Sequence, residues 1–418
     1  MQRIREYPGF FFAIICRFAL QPESMFAKQY LQQQKNGRLI LQPPHVNVEI
    51  IVVIPCFYEP DIVQTLESLK TCNWPGHKVE VIVLINHSEI AGKEVQQQNR
   101  KTKTELDKWI ANNKNEQIQF FAVGPVALKK KWAGAGLARK SGMDEAVLRF
   151  QQINKPGGII VSLDADTLVA ENYLVEIEKY FAENPKIVGA TIAFQHQTEG
   201  LAPKHLQGIR LYEKYMVYYK KAIGFTGYPF PMFTVGSAFA VTAAAYVKRG
   251  GMNRRQAGED FYFLQNLVQL GKVGEITTTR VFPSARLSDR VPFGTGPILR
   301  KWMNDEEDLT LTFHFQAFAD LKKFFDICEK LYKVTKEEYE QLVSEMPSPV
   351  AEFLQKDNFW EELNDVNQNC AIMKTFQTRF FQKFNAFKIL KFLNFVHEHF
   401  YEKASLDEQV DSLEKTIH

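Results

Sequence analysis

Short apolar runs without polar alternation punctuate the chain up to about residue 296. Each reads as a strand buried on both faces. Between them lie segments with helical spacing. The pattern predicts a strand over 48–54, a helix over 60–72, a strand over 79–86 and a polar helix over 89–112. A strand over 117–123, a helix over 136–150, a strand over 159–163 and a helix over 171–183 follow. Further strands are predicted at 187–194 and 235–241, separated by an aromatic helix around 203–222; a helix over 259–270 and a strand over 276–282 come next. Strand–helix alternation of this kind implies an α/β fold with a mostly parallel sheet and helices on both faces. The chain divides into a lead-in segment 1–46 that ends at Gln42-Pro43-Pro44, an α/β core 47–296 and a helical region 297–418.

In such sheets ligands bind beyond the carboxyl ends of the strands. The first predicted strand ends in Pro55-Cys56-Phe57-Tyr58-Glu59 and the second in Asn86-His87-Ser88-Glu89. The third leads into Lys129-Lys130-Lys131-Trp132-Ala133-Gly134-Ala135-Gly136, and the fourth into Asp164-Ala165-Asp166. Two carboxylates at the end of a buried strand are costly to desolvate unless a cation meets them. A divalent metal carrying a diphosphate is the natural candidate. If strand geometry persisted, Asp164 and Asp166 would share one side with Ala165 opposite, their Cα atoms about 6.5 Å apart. A loop in which Asp166-Thr167 caps the next helix is the plainer alternative.

The glycine loop departs from both the P-loop and the Gly-x-Gly-x-x-Gly pattern, since Arg139 stands at the third glycine position. Its small residues still expose backbone N–H groups at a helix start, where anions are attracted. Arg139, Met143, Ala146 and Phe150 share one helical face. A surface helix start with Lys140 and Asp144 paired at i,i+4 is the alternative. Gly258-Glu259-Asp260 opens another helix, with Asp260 in step with Leu264 and Leu267 and hence on the packed side. Burial raises the pKa of such an acid and the helix end lowers it, a setting suited to a general base. An acidic first turn that merely complements the helix dipole is equally familiar.

Composition narrows the field. A formal charge of +3 is too small to argue for nucleic acid. The five cysteines are scattered and lack Cys-x-x-Cys spacing, which fits a reducing cytoplasm rather than a disulfide framework. No apolar stretch reaches the ~20 residues of a membrane span. The nearest, 9–20, carries Arg17 and reads as a docked N-terminal segment.

Taken together, Ile54-Pro55-Cys56-Phe57-Tyr58-Glu59, the glycine-and-arginine helix start, Asp164-Ala165-Asp166, Gly236-Ser237-Ala238 and Glu259-Asp260 resemble the family 2 glycosyltransferases of GT-A fold. The resemblance implies a nucleotide-sugar donor, UDP- or GDP-type, and a hydroxyl acceptor. Pro55, Tyr58, Glu59 and Asn86 would border the nucleotide, Asp164 the ribose, and Asp166, with Asp164, a Mn²⁺ or Mg²⁺ on the diphosphate. Asp260, beside Glu259, would be the base, giving inversion. Gly236 and Ser237 would lie beside sugar or acceptor, and Arg139, with Lys129, Lys130 and Lys131, would add electrostatic support for the diphosphate. Three alternatives stand beside it: a retaining GT-A enzyme, a sugar nucleotidyltransferase, and a non-catalytic nucleotide-sugar-binding protein.

The chain departs from the family in places. The second strand ends in Asn86-His87-Ser88 where many relatives carry an acidic pair, and the Gln-x-x-Arg-Trp of processive synthases is absent. No histidine lies between His205 and His314, so Asp289 or water would complete a metal site. His196 and His205 read as structural. Arg280, Arg286 and Arg290, with Gly294-Thr295-Gly296, read as a mobile cationic loop that lies near the diphosphate or near an anionic acceptor; a solvated basic loop is the alternative. The stretch 373–400 alternates phenylalanines with lysines and Arg379. It is expected to pack on its own domain or a second subunit; the alternative is a helix lying on the inner face of an anionic membrane near a lipid-linked acceptor.

Overall fold

The structure, a computed structural model, describes residues 26–34, 37–255, 258–288 and 294–417. The 9–20 segment with Cys16 and Arg17, and Asp289 and Arg290 of the cationic loop, lie outside the described residues. The α/β part comprises α1 Lys28–Gln33, β1 Val48–Cys56, α2 Ile62–Lys70, β2 Lys78–Ser88, α3 Lys93–Asn112, β3 Ile118–Leu128, α4 Ala135–Gln152, β4 Ile159–Ser162, β5 Leu168–Val169, α5 Tyr173–Glu183 and β6 Gly189–Phe194. It continues through α6 Pro203–Phe225, β7 Phe239–Thr242, α7 Ala243–Lys248, α8 Glu259–Leu267, β8 Val273–Phe282 and α9 Thr295–Met303. The helical region then runs β9 Leu311–Thr312, α10 Phe315–Asp326, α11 Lys336–Ser344, α12 Ser348–Lys356, α13 Phe359–Gln368, α14 Met373–Lys383, α15 Ala386–His399, β10 Ala404–Ser405 and α16 Leu406–Ile417.

Eight strands form one sheet in the order β3-β2-β1-β4-β7-β6-β8-β5. β1 pairs in parallel with β2 and β4, β2 with β3, and β6 with β8. Among the described strands of this sheet, only β7 and β5 run against their neighbours. The reversal of β7 matters for the site, because it brings the start of that strand to the edge where β1, β2 and β4 end.

Alternation along β1 sorts the helices onto two faces. Ile50, Val52 and Ile54 face a core that includes Leu66 of α2, Leu106 of α3 and Leu174 and Ile177 of α5. Ile51 and Val53 face the other, with Met143, Ala146 and Phe150 of α4 and Phe263, Leu264 and Leu267 of α8. Both faces are thus sealed by apolar side chains, which accounts for the unalternating runs. α4 and α8 share a face, so their amino-terminal ends meet at the carboxyl edge of the sheet. The mostly parallel sheet with helices on both faces and a helical C-terminal region is the architecture expected from the sequence.

The lead-in segment docks on α4. Tyr30 Oη donates to Asp144 Oδ1 at 2.5 Å, and the N–H groups of Leu39 and Ile40 donate to Glu145. The i,i+4 pair Lys140–Asp144 forms at 2.9 Å, yet both side chains are buried beneath this segment rather than on a surface.

The helical region has its own core, in which Phe324, Phe353, Phe359, Phe376, Phe380, Phe384 and Phe392 are buried with Tyr218 and Ala222 of α6. The phenylalanines of 373–400 are therefore turned into the protein's own packing. Several of the interspersed cations are also engaged: Lys388 and Lys391 reach Asp357, Lys383 reaches Asp365, and Arg379 donates to the Asn369 carbonyl. Among the described residues no helix is long and apolar enough to cross a membrane.

Candidate active site

Arg139 is the hub. It projects from the first turns of α4 and is 2% exposed. Its Nη1 donates to Ser162 Oγ at 2.5 Å and to the Gly236 carbonyl at 3.0 Å. Nη2 donates to Asp164 Oδ1 at 2.8 Å, and Nε to Glu259 Oε1 at 3.2 Å. One guanidinium thus ties the ends of β4 and α8 to the start of β7. Burial works against its charge, but Asp164 and Glu259 outweigh burial and raise its pKa above the ordinary arginine value. The planar fork of donors suits this task, which a lysine would not perform.

Gly236 allows the convergence. A Cβ there would stand 2.9 Å from Arg139 Nη2, 3.4 Å from Asp260 Oδ2 and 3.5 Å from Asp164 Oδ2. Asp164, Asp260 and Arg139 therefore surround one backbone position, and any side chain at it would intrude among them. Next door, Ser237 Oγ is buried without a hydrogen-bond partner among the described residues.

Asp260 holds the first turn of α8, its Oδ1 accepting the Phe261 N–H at 2.8 Å. Burial and the neighbouring Glu259 push its pKa up from 3.8 to about 7, against the opposing pull of Arg139 and the Phe261 N–H. A carboxylate poised near neutrality is matched to taking a proton at physiological pH.

Asp164 and Asp166 do not continue the strand. β4 ends at Ser162, and the chain turns at once, with the Thr167 N–H donating to the Asp164 carbonyl at 3.2 Å. This turn cancels the extended geometry expected across 164–166. Asp164 faces Arg139, whereas Asp166 Oδ2 lies 2.7 Å from Arg286 Nη2. Ala165 stays buried between them, its carbonyl accepting from Thr65 Oγ1 at 3.0 Å.

Arg286, in the segment after β8, also clasps Glu59. Its Nη1 donates to Glu59 Oε1 at 2.9 Å and its Nη2 reaches Glu59 Oε2. Glu59 is almost fully buried, so the pair is a true counter-ion for it. Around it, Asn99 Oδ1 accepts the Tyr58 N–H, and Thr102 Oγ1 donates to the Glu59 carbonyl. Tyr58 has φ +48° and its hydroxyl donates to Glu94. Asn86 is buried, and its amide donates to the Cys56 carbonyl at 3.0 Å, stitching β1 to β2. Pro55 lies within β1, one residue before that strand's end.

The histidines are structural, as expected. His196 Nδ1 lies 2.8 Å from Glu213, and His205 Nε2 2.6 Å from the Ala285 carbonyl. Arg280 donates to Gln195 rather than to the acidic centre. Two participants escaped the sequence: Ser162, which passes for an ordinary strand residue, and the Glu59–Arg286 pairing, which spans 227 positions.

The acidic groups also suit a divalent ion. Asp164 and Asp166 are partly exposed and supply hard oxygen donors at the carboxyl edge. Among the described residues no cluster of three or more histidines, cysteines or carboxylates could hold a metal alone. Two carboxylates match an ion of Mg²⁺ or Mn²⁺ type that takes its other ligands from diphosphate oxygens and water.

No family model matches the chain, and no curated protein matches it. Solved structures that share features of its shape include Staphylococcus aureus TarS 1-349 in complex with UDP-GlcNAc, 11% identical with TM-score 0.41, over 80% of this chain and 92% of that one. Another is the mannosyltransferase PcManGT from Pyrobaculum calidifontis, in complex with GDP-Man and Mn²⁺, 14% identical with TM-score 0.37, over 90% and 86%. Likenesses at this level define neither family nor activity.

Proposed function

We propose that the chain is a metal-dependent, inverting glycosyltransferase of family 2, GT-A type, which moves a sugar from a UDP- or GDP-type donor to a hydroxyl acceptor. One observation supports this above all. Arg139 gathers Asp164, Glu259, Ser162 and Gly236 at a single edge of the sheet, with Asp260 beside Gly236. A purely structural ion pair would not need a second acid held near neutrality in the same cluster.

In this proposal the nucleotide lies along Pro55, Tyr58, Glu59 and Asn86, and the sugar beside Gly236 and Ser237. Asp164 and Asp166 would hold a Mn²⁺ or Mg²⁺, which when bound would supply Lewis-acid stabilisation of negative charge on the diphosphate worth several kcal/mol. Asp260 takes the acceptor hydroxyl proton as the oxygen bonds to the anomeric carbon, and the sugar–diphosphate bond breaks on the opposite face. That stereochemistry inverts the anomeric centre. Such a base contributes ~10²–10⁴-fold. Arg139 holds Asp164 and Glu259 in place while Asp260 exchanges its proton.

A thermal-shift panel of nucleoside diphosphates and nucleotide sugars, with and without Mn²⁺, tests the proposal. A uridine or guanosine diphosphate should raise the melting temperature in a Mn²⁺-dependent manner, and Asp166→Ala should abolish that response. If no nucleotide shifts the wild-type protein under any metal condition, the transferase assignment fails.

A further inference from the structure

Beside the amino-terminal ends of α4 and α8 lies a shelf of cations. Lys129, Lys130, Lys131, Arg254 and Arg255 are all exposed there. Three of them lie over aromatic rings. Lys131 Nζ is 5.3 Å and Arg254 Cζ 5.5 Å from the centre of the Trp132 ring, while Arg255 Cζ is 3.4 Å from that of Tyr262. Tyr262 stands two residues beyond Asp260. The shelf is built against the site: a Cβ on Gly136 would stand 2.1 Å from the Arg255 carbonyl oxygen, and Asn253 Nδ2 donates to the Glu259 carbonyl at 3.3 Å.

Among the described residues no carboxylate pairs with Lys129, Arg254 or Arg255. The like charges of Lys129, Arg254 and Arg255 repel one another, and bringing them together is compensated when an anion binds among them. The Trp132 and Tyr262 rings hold the guanidinium groups of Arg254 and Arg255 in place. The first turn of α4 adds backbone N–H groups, with no acid in that turn and no side-chain cap.

We infer that this shelf binds a phosphate group carried by the acceptor and steers the acceptor hydroxyl toward Asp260. The inference rests on the transferase proposal for the identity of its neighbour site, but its chemistry is separable. The probes are sn-glycerol 3-phosphate, with glycerol as the uncharged control, and phosphatidylglycerol vesicles, with phosphatidylcholine vesicles as theirs. They are applied to the full chain and to a Lys129→Ala, Arg254→Ala, Arg255→Ala triple variant. At least one phosphate probe should bind, at least tenfold more weakly to the triple variant and more weakly as salt rises. Preference for the soluble ester or for the vesicle then tells which carrier bears the phosphate.

Nucleoside diphosphates should still shift the triple variant's melting temperature as they shift the wild type. Wild-type protein that binds neither probe, or a triple variant that binds as the wild type does, overturns the inference. So does a triple variant that loses its nucleotide response, because the shelf would then serve the donor. Should the triple variant fail to fold, Lys129→Ala alone, in salt titration, gives the same decision. Phosphate binding without any nucleotide response would instead sink the transferase proposal and leave the shelf standing.

Discussion

Phe387, from the C-terminal helical region, stacks on Tyr262 with ring centroids 4.1 Å apart and planes at 27°. Phe387 also meets Phe261 edge-on at 4.4 Å. Those two aromatics directly follow Asp260, so the helical region grips the turn that presents the proposed base. Phe387→Ala should lower stability by about 1–3 kcal/mol for a partly buried ring. It should also reduce kcat and displace its pH midpoint, whereas Phe387→Leu should restore much of both. Urea unfolding alongside a pH–rate profile checks this, and a stability loss with an unmoved profile would assign Phe387 to packing alone.

Asp260 gives the pH prediction. Its pKa lies at about 7 in the folded chain against an ordinary 3.8, so the folded state holds this proton more tightly than the unfolded one. The group's contribution to stability is therefore fully present below about pH 4 and is lost as pH rises through 7. Asp260→Asn should melt several degrees above wild type at pH 8, with the two converging near pH 4. Wild-type kcat/KM should climb through pH 7 and level above it, while the variant keeps its nucleotide response and loses transfer by ~10²–10⁴-fold. Normal transfer by Asp260→Asn would remove the base assignment.

Much of this architecture was legible in the sequence, for identifiable reasons. The runs now forming β1, β2 and β4 lack polar alternation because helices cover both faces, and Asp260 keeps step with Leu264 and Leu267 because α8 packs on the sheet. Arg139 was readable from its apolar helical face. Strand direction was not: Phe239–Thr242 is as apolar as its neighbours, and only pairing tells that it runs backwards. Strands of two residues, such as β5, carry no period to detect. The turn at Asp164 depends on a backbone hydrogen bond that residue types leave open. The sequence shows Arg286 only as a cation of a loop, and its grip on Glu59 needs the tertiary fold to bring together two segments 227 positions apart.

Arg139 is expected to be intolerant of truncation. Arg139→Met would leave Glu259, itself buried, and Asp164 without their shared cation, and breaking a buried pair from one side costs about 3–5 kcal/mol. Arg139→Lys keeps the charge but cannot reach Ser162, Gly236, Asp164 and Glu259 together. It should lose less stability than the methionine variant while still losing most transfer activity. Equal denaturation midpoints for wild type and Arg139→Met would show that the cluster is not held by this guanidinium.

Arg286 stands where a divalent ion would approach Asp166, because its Nη2 already lies 2.7 Å from Asp166 Oδ2. Metal loading at this carboxylate has to displace or share that contact. Removing Arg286 alone would take a paired cation from the buried Glu59, so the informative comparison is Glu59→Gln against Glu59→Gln with Arg286→Ala. Without the competing guanidinium, the double variant should bind Mn²⁺ at lower concentration in the absence of nucleotide, as measured by calorimetry. Its salt dependence should differ as well, since one cation has left the acidic pocket. Identical Mn²⁺ titrations for the two proteins would mean that Arg286 and the metal do not contend for Asp166. The metal would then have to be sought elsewhere on the carboxyl edge, or Arg286 itself would be the cation that faces the diphosphate.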